Sequence, residues 1–367
     1  MDNLCHTLTG AALGQAGLAS RTRYGMATLM VAANLPDLDV LVFLTDTLPM
    51  SFRRGWTHGV LAQALLPLAL AGVVYAIGRL RTSSHPIAPA RTPSHPIAPA
   101  RTPSHPIAPA RTPSHPLSPP PPLRFSSLLL LSYVGLFSHV ALDYLNSYGI
   151  RLLMPFSDRW FYGDALYIVD PWMWLVLGAG LWWGRRRRRA GSAEPWRPSR
   201  VALVAVGSYA LVMLGSNLWA RAVVFDGLTR AGREADTRFM VTPVFANPVR
   251  REVLVDTGDR YEKGFVWFMP APRFRPAGYG VATGFDQPEA REALASPRAQ
   301  AFLGWSRFPF VVVDRTEAPP RVRLNDYRYT DATARAGWAG LSIELPGGAG
   351  GPPGAGTGAP TVPQITR

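Results

Sequence analysis

A hydrophobic stretch that carries ionisable groups constrains this chain more than anything else in it. Residues 128–149 read LLLLSYVGLFSHVALDYLNSYG. The run is apolar enough to cross a bilayer, yet it holds His139 and Asp143. A charge at bilayer depth costs several kcal/mol, about 3 on insertion scales, so such a residue is a functional candidate by default. The spacing of four puts both side chains on one helical face, a turn apart. Imidazole and carboxylate so placed form a pair of metal ligands or an acid–base pair.

Five more hydrophobic segments accompany it. The first, 8–19, is short for a span and rich in small residues. The second, 25–44, is GMATLMVAANLPDLDVLVFL, interrupted by Asn34, Pro36, Asp37 and Asp39. The third, 59–78, is a clean span, and Pro67 is tolerable within it. The helix of His139 is the fourth, 125–146; the fifth is 166–184 and the sixth 201–220. After residue 221 the pattern changes to short alternating runs punctuated by Gly, Pro and Asp, which read as antiparallel strands. The expected fold is a polytopic α-helical membrane domain of five to six hydrophobic segments, followed by a small β-rich soluble domain. The expected boundaries are 1–80 for the first three helices, 81–124 for a disordered linker and 125–221 for the remaining helices. An extracytoplasmic β-rich domain follows over 222–346, and 347–367 is a Gly/Pro-rich disordered tail.

The linker contains an internal repeat. SHPIAPARTP occurs at 84–93, 94–103 and 104–113 and decays into SHPLSPPPP. Its histidines, His85, His95, His105 and His115, could gather metal. A polyproline-like spacer is the favoured reading, because no carboxylate or cysteine accompanies them and proline keeps them apart. The net charge of +14 would suit nucleic acid. It is discounted, because Lys263 is the sole lysine and the arginines cluster beside apolar runs, as membrane flanks do. The single Cys5 excludes an intramolecular disulfide. The start MDNLCHTLTG lacks a basic n-region and an Ala-x-Ala site, so no cleavable signal peptide is expected.

Orientation follows from arginine. Arg185 to Arg189 with Arg197 and Arg200 mark one cytoplasmic loop, the linker a second, and Arg21 and Arg23 a third. These agree if the six segments run alternately inward and outward from an outer start. Arg53 and Arg54 then fall in an outer loop, kept there for something other than topology. The same topology brings the unusual polar residues to the outer ends of their helices. His6 precedes segment one, Asp37 and Asp39 lie in the outer half of segment two, and His58 opens segment three. His139, Asp143 and Asn146 close segment four, with Asp158, Asp164 and Asp170 after them. Three imidazoles and several carboxylates at one depth suit zinc or another transition metal, in one or two ions.

Each residue also has a bland reading. Asn34-Leu35-Pro36-Asp37 can be an N-cap with Pro and Asp in the first turn of a restarted helix. His58 can be an interfacial histidine, His6 a terminal one, and His139 with Asp143 a structural hydrogen bond. Asp39 has no such excuse, being flanked by Leu38, Val40, Leu41 and Val42. It needs a cation, and metal is expected there. Asp37 and Asp39 approach one centre only if Pro36 breaks the helix.

Leu35-Pro-Asp37-x-Asp39, Arg54-Gly-x-Thr57-His58 and Ser138-His139-x3-Asp143, followed by Gly149 and Pro155-Phe156, resemble the YdjM-like membrane-bound metal-dependent hydrolases. That family is also described as LexA-binding inner-membrane-associated hydrolases. The resemblance covers about residues 1–175 without the repeat. It implies a bacterial inner-membrane protein with a metal centre. Family members often carry His-Arg-Gly-x-Thr-His-Ser; here Arg53 replaces the first His and Gly59 the Ser. Trp305-Ser-Arg-Phe-Pro309 and Asp326-Tyr-Arg-Tyr329 resemble the C-terminal domain of longer members.

The expected function is therefore a metal-dependent hydrolase at the outer lipid–water boundary. His58, His139, Asp143, Asp37 and Asp39, with His6 as a further ligand, would hold a divalent metal, zinc first and Mn or Mg next. Asp37 or Asp158 would act as general base, and Arg54 would pair with an anionic group of the substrate. The expected partners are the lipid bilayer and an amphiphilic or lipid-linked substrate such as a phospholipid, with no nucleic acid. Two other classes fit the same residues: a transporter or ion-binding protein, since broken helices with carboxylates also mark transport sites, and a non-enzymatic scaffold. Metal analysis with lipid-phosphate release separates the first from the last, and metal flux in liposomes marks transport.

Overall fold

The structure is a computed structural model, and it describes residues 1–45, 49–83, 121–233, 237–316, 320–330 and 339–345. The SHPIAPARTP repeat and the tail from 347 lie outside the described residues.

Helix α1, Asn3–Gln15, starts at Asp2, whose carboxylate accepts from the Cys5 N–H at 3.0 Å. Helix α2, Gly25–Ala32, stops at Asn34, and the chain resumes as a 3-10 stretch, Leu35–Leu44, bent 53° from it. Pro36 supplies the reason. It lacks an N–H and its ring clashes with the carbonyl four residues back, which favours a kink or break at this point. A short α3, Pro49–Phe52, leads to the long α4, Val60–Ser83. Helix α5 is Phe125–Tyr144 and α6 is Pro171–Arg189, capped by the Asp170 carboxylate on the N–H groups of Trp172 and Met173. Helix α7, Arg197–Arg230, is the longest.

Among the described residues, three helices are long and apolar enough to cross a membrane: α4, α5 and α7. Counting the bent pair of α2 and the 3-10 stretch makes four. This corrects the expectation of five to six. Helix α1 has 13 residues, so it reaches only about 20 Å against roughly 30 Å of hydrocarbon. Helix α6 ends in Arg185 to Arg189, which leaves its apolar part a similar length. Both short helices pack one face against the bundle, sharing a core of Met1, Cys5, Ala12, Met173, Leu177, Val206, Ala210 and Met213 with α7. Helix α5 is the central one: 44% of its apolar window is buried, against 11% for α4 and 22% for α7. It approaches α2 closely at Gly135, where a Cβ would stand 2.6 Å from Ala32 Cβ. Small residues at such a crossing let two backbones meet.

The arginine-rich ends gather at one end of the bundle. Arg200 donates to Ala16 O at 2.9 Å, and the Arg124 N–H to Thr22 Oγ1 at 3.0 Å. The start of α4, the end of α5 and the start of α6 lie at the other end, with the β strands.

Strands β1 (Phe239–Val244), β2 (Asn247–Asp256), β3 (Arg260–Trp267) and β4 (Arg273–Ala282) form an antiparallel meander. Period-two alternation gives the sheet two apolar faces. Val253 and Val255 pack on Ala220, Val224 and Leu228 of α7. Leu254 faces the other way, against Phe308, Phe310 and Tyr327. The latter side is covered by a second antiparallel sheet, β5 (Pro309–Asp314), β6 (Arg321–Asp326) and β7 (Gly340–Glu344). Helices α8 (Pro288–Leu294) and α9 (Pro297–Trp305) complete that layer.

Buried cations dock the β region onto the helices. Arg251, fully buried on β2, donates to Ala165 O at 2.8 Å and to Ser216 Oγ of α7 at 2.6 Å. Burial pushes its guanidinium down to about 10. Arg307 holds Asp164 with contacts of 2.9 Å to each carboxylate oxygen. Arg328 pairs with Asp326 and donates to Ser147 O at 2.8 Å.

Candidate metal centre

Four segments deliver the site. Helix α5 contributes His139 and Asp143 one turn apart. The 3-10 stretch after the Pro36 break contributes Asp37 and Asp39. The loop before α4 contributes Arg53, Arg54, Thr57 and His58, and α1 contributes His6. His6, His58, His139 and Asp143 have no exposed surface, and Asp37 is 5% exposed.

Asp37, His58, His139 and Asp143 form one cluster: a ligand atom from each lies within 4.8 Å of all the others. His58 Nε2 stands 3.1 Å from His139 Nε2. Each of these nitrogens is 3.4 Å from Asp143 Oδ2.

Hydrogen bonding at the outer ring nitrogens fixes the tautomers. His139 Nδ1 lies 2.8 Å from Ala33 O, an acceptor, so Nδ1 carries the proton. His58 Nδ1 lies 3.0 Å from Thr57 Oγ1 and 3.6 Å from Asp39 Oδ2. The Thr57 hydroxyl donates to Asp39 Oδ2 at 3.4 Å, so its lone pair accepts from His58. With the tautomers so assigned, both Nε2 atoms present lone pairs to each other and to a carboxylate oxygen. Three buried acceptors at this range repel unless a cation lies among them. Ligands of a four-coordinate zinc at 2.0–2.1 Å stand about 3.3 Å apart, which the 3.1–3.4 Å edges match. Asp37 Oδ2 and Asp143 Oδ2 also lack hydrogen-bond partners. The donor set fits a metal ion.

Asp143 divides its oxygens. Oδ2 faces the two histidines, and Oδ1 faces positive charge: Arg54 Nη2 at 3.2 Å and the amino group of Met1. His6 Nε2 reaches the same Oδ1 at 3.3 Å, with its ring stacked on His139 at 3.8 Å. His6 thus touches the cluster from outside its four members.

Asp39, expected as a ligand, sits one layer out. Its oxygens accept from the Arg54 N–H at 2.6 Å and from Arg53 Nε at 3.4 Å, and it backs His58. The cation it required is Arg53, and its work is to orient His58 Nδ1. Removing such an orienting carboxylate typically weakens metal affinity by about 10–100-fold. Asp39→Asn is expected to show that loss in a metal titration while keeping its fold. An unchanged affinity would separate Asp39 from the centre.

Arg54, expected at the substrate, is committed within the protein. It donates to Asn146 Oδ1 and Met1 O, both at 3.2 Å, and lies over the Tyr148 ring at 4.7 Å. Its φ of 51° is left-handed and uncommon for a residue with a side chain; its N–H donates to the Asp39 carboxylate and its carbonyl accepts from the Arg151 N–H, which hold it there. The two loop arginines that broke the charge pattern each neutralise a buried carboxylate: Arg53 on Asp39 and Arg54 on Asp143. Asp158 does not join the site. Its side chain is 85% exposed and meets only Arg151, at 3.6 Å, among the described residues. Asp164 serves Arg307, and Asp170 caps α6.

Two contributors were not legible beforehand. Ala33 acts through its carbonyl, which no residue type announces. Tyr148 supplies the face under Arg54, and a lone tyrosine after Asn146 gives no signal of that.

A family model, YdjM inner membrane protein, matches residues 1–221. No curated protein and no solved structure matches the chain.

Proposed function

The chain belongs to the YdjM inner membrane protein family, and we propose that it is a metal-dependent hydrolase of the bacterial inner membrane. The observation that carries this reading is the buried triangle of His58 Nε2, His139 Nε2 and Asp143 Oδ2, with edges of 3.1–3.4 Å. Two imidazoles with carboxylates favour zinc over Mg, which prefers an all-oxygen set. A divalent ion there supplies Lewis acidity, polarising a phosphoryl or acyl oxygen and acidifying water.

The chain's own residues do the rest. Ala33 O and the Asp39–Thr57 pair lock the two imidazoles in the tautomer that presents Nε2. Asp37, with one oxygen outside any hydrogen bond, is the fourth donor of the cluster. Arg54 offsets the carboxylate charge beside the centre. Arg53, 26% exposed, is the cation at the edge that an anionic substrate group would meet. The centre lies where α4 begins and α5 ends, close to a membrane surface, so a lipid ester or lipid-linked phosphate is the substrate class. The arginine distribution supports an orientation with this end, and the β domain, outside the cytoplasm.

Reconstituted protein is expected to release phosphate, headgroup or fatty acid from phospholipid vesicles, detected by mass spectrometry. Chelation and His139→Ala should each abolish release. Bound metal without any lipid product would convert the reading to a metal-binding scaffold or carrier. Protein without metal above background would end it.

A further inference from the structure

The four-stranded sheet ends in two loops that the metal centre does not use. We propose that this end is a membrane-contact surface, and that the cleft formed by the β3–β4 loop receives the headgroup of an anionic phospholipid. The lipid comes from the leaflet on the side of the β domain.

Depth along α7 is the first support. Trp219 lies 19 residues beyond Arg200, which stacks on Trp196 at 3.9 Å at the arginine-rich end. At 1.5 Å per residue that is about 28 Å, close to the roughly 30 Å of bilayer hydrocarbon. Trp219, 55% exposed, therefore marks the opposite interface, where tryptophan concentrates. Its ring meets Phe268, the first residue of the β3–β4 loop, at 5.5 Å. Independently, Trp172 at the start of α6 donates its indole N–H to Ala246 O at 3.1 Å, in the β1–β2 turn. Both loops at this end of the sheet are thus tied to tryptophans on membrane-domain helices.

The chemistry of the loops is the second support. Phe245, Val249, Trp267 and Met269 are 54, 51, 38 and 73% exposed, an apolar tip that water would not favour. Beside it, Trp267, Met269, Pro270, Ala271, Arg273 and Arg275 line a cleft of about 330 Å3. Arg273 and Arg275 are exposed and have no carboxylate partner among the described residues. Arg250 lies over the rings of Phe265 and Trp267, at 3.5 and 4.6 Å, adding a third guanidinium nearby. Apolar side chains below arginines match the lipid interface, acyl chain first and phosphate next. The other end of the sheet, Thr257-Gly258-Asp259, is polar. It stands about 26 Å away by the eight residues of β3 at 3.3 Å each.

This inference stands apart from the metal chemistry, and its test does not read activity. Full-length protein carrying Met269→Cys or Asp259→Cys, each labelled with an environment-sensitive fluorophore, is placed in nanodiscs with nitroxide-headgroup lipid. Cys5 is buried and does not compete for label. Position 269 is expected to be quenched several-fold more than 259, and more strongly when phosphatidylglycerol replaces part of the phosphatidylcholine. Arg273→Glu with Arg275→Glu should reduce the phosphatidylglycerol preference by roughly 25-fold, at about a fivefold effect per arginine, and leave metal content unchanged. Equal quenching at 269 and 259 would overturn the contact. Quenching indifferent to phosphatidylglycerol and to the arginines would overturn the headgroup site. Reversal by excess inorganic phosphate would overturn the lipid assignment.

Discussion

His139→Ala is expected to bring the metal content of the purified protein to background while the protein still inserts and folds. The substitution removes one of four clustered donors and no counter-charge. A complete structural zinc set supplies roughly 10–16 kcal/mol, so one donor in four counts for about 3 kcal/mol, a factor of roughly 100 in affinity. His139→Gln, which fills more of the vacated volume, should lose metal equally. Asp143→Ala is expected to fail twice. It removes the oxygen between the histidines, and it leaves the buried Arg54 guanidinium without its carboxylate. Breaking one side of a buried pair costs about 3–5 kcal/mol of stability. Metal quantification beside a thermal melt separates the two variants. Full metal content in His139→Ala would remove the centre from the account of this protein.

Arg328→Ala is expected to loosen the β domain from the membrane domain by a comparable amount, about 3–5 kcal/mol. Arg328 and Asp326 bury nearly all their side-chain surface, and Arg328 Nη2 meets Asp326 Oδ2 at 2.8 Å. Arg328 also lies over Trp305 at 4.8 Å, and Trp305 meets Tyr148, the ring beneath Arg54, at 5.0 Å. The alanine variant leaves a carboxylate buried without its cation. Arg328→Met with Asp326→Leu removes both charges and should cost less than the single variant, the remaining loss coming from the Ser306 hydroxyl and the Arg307 and Arg328 N–H groups that the Asp326 oxygens satisfy. Burial alone would raise the Asp326 pKa, but the Arg328 guanidinium beside it overrides that and holds it below the ordinary 3.8. A depressed folded pKa means that the stabilisation is present above about pH 4 and is lost as pH falls below it. Limited proteolysis across that range should show acid-induced release of the β domain in wild type and not in the double variant. Wild-type-like protection of Arg328→Ala would show that the pair does not hold the domains together.

How much of this was legible varies by element. The face shared by His139 and Asp143 followed from a spacing of four in a run that could only be helix. The break after Asn34 followed from Pro36, whose missing N–H and ring disfavour a continuous helix. The antiparallel strands followed from alternation and turn residues, but the expected start at 222 falls within α7, which continues to Arg230, and the first strand begins at Phe239. The number of spans did not follow, because α1 and α6 are as apolar as a span over part of their length. Only the bundle shows that they spend those faces on each other and on α7. Asp37 and Asp39 were alike on paper, two carboxylates in one apolar run. The structure sends one to the histidines and the other to Arg53, Arg54 and Thr57.

The sequence by itself determined which residue types share a helical face and where an apolar run breaks, since residue type and helical period act over a few neighbouring residues. The tertiary structure alone decided which lone pairs meet. His58 and His139 are 81 positions apart, and the 3.1 Å between their nitrogens exists because α5 packs on α2 and on the start of α4. The Ala33 carbonyl that sets the His139 tautomer is 106 positions away from it. Contacts of that reach come from the packing of whole elements, and no local pattern of residues encodes them.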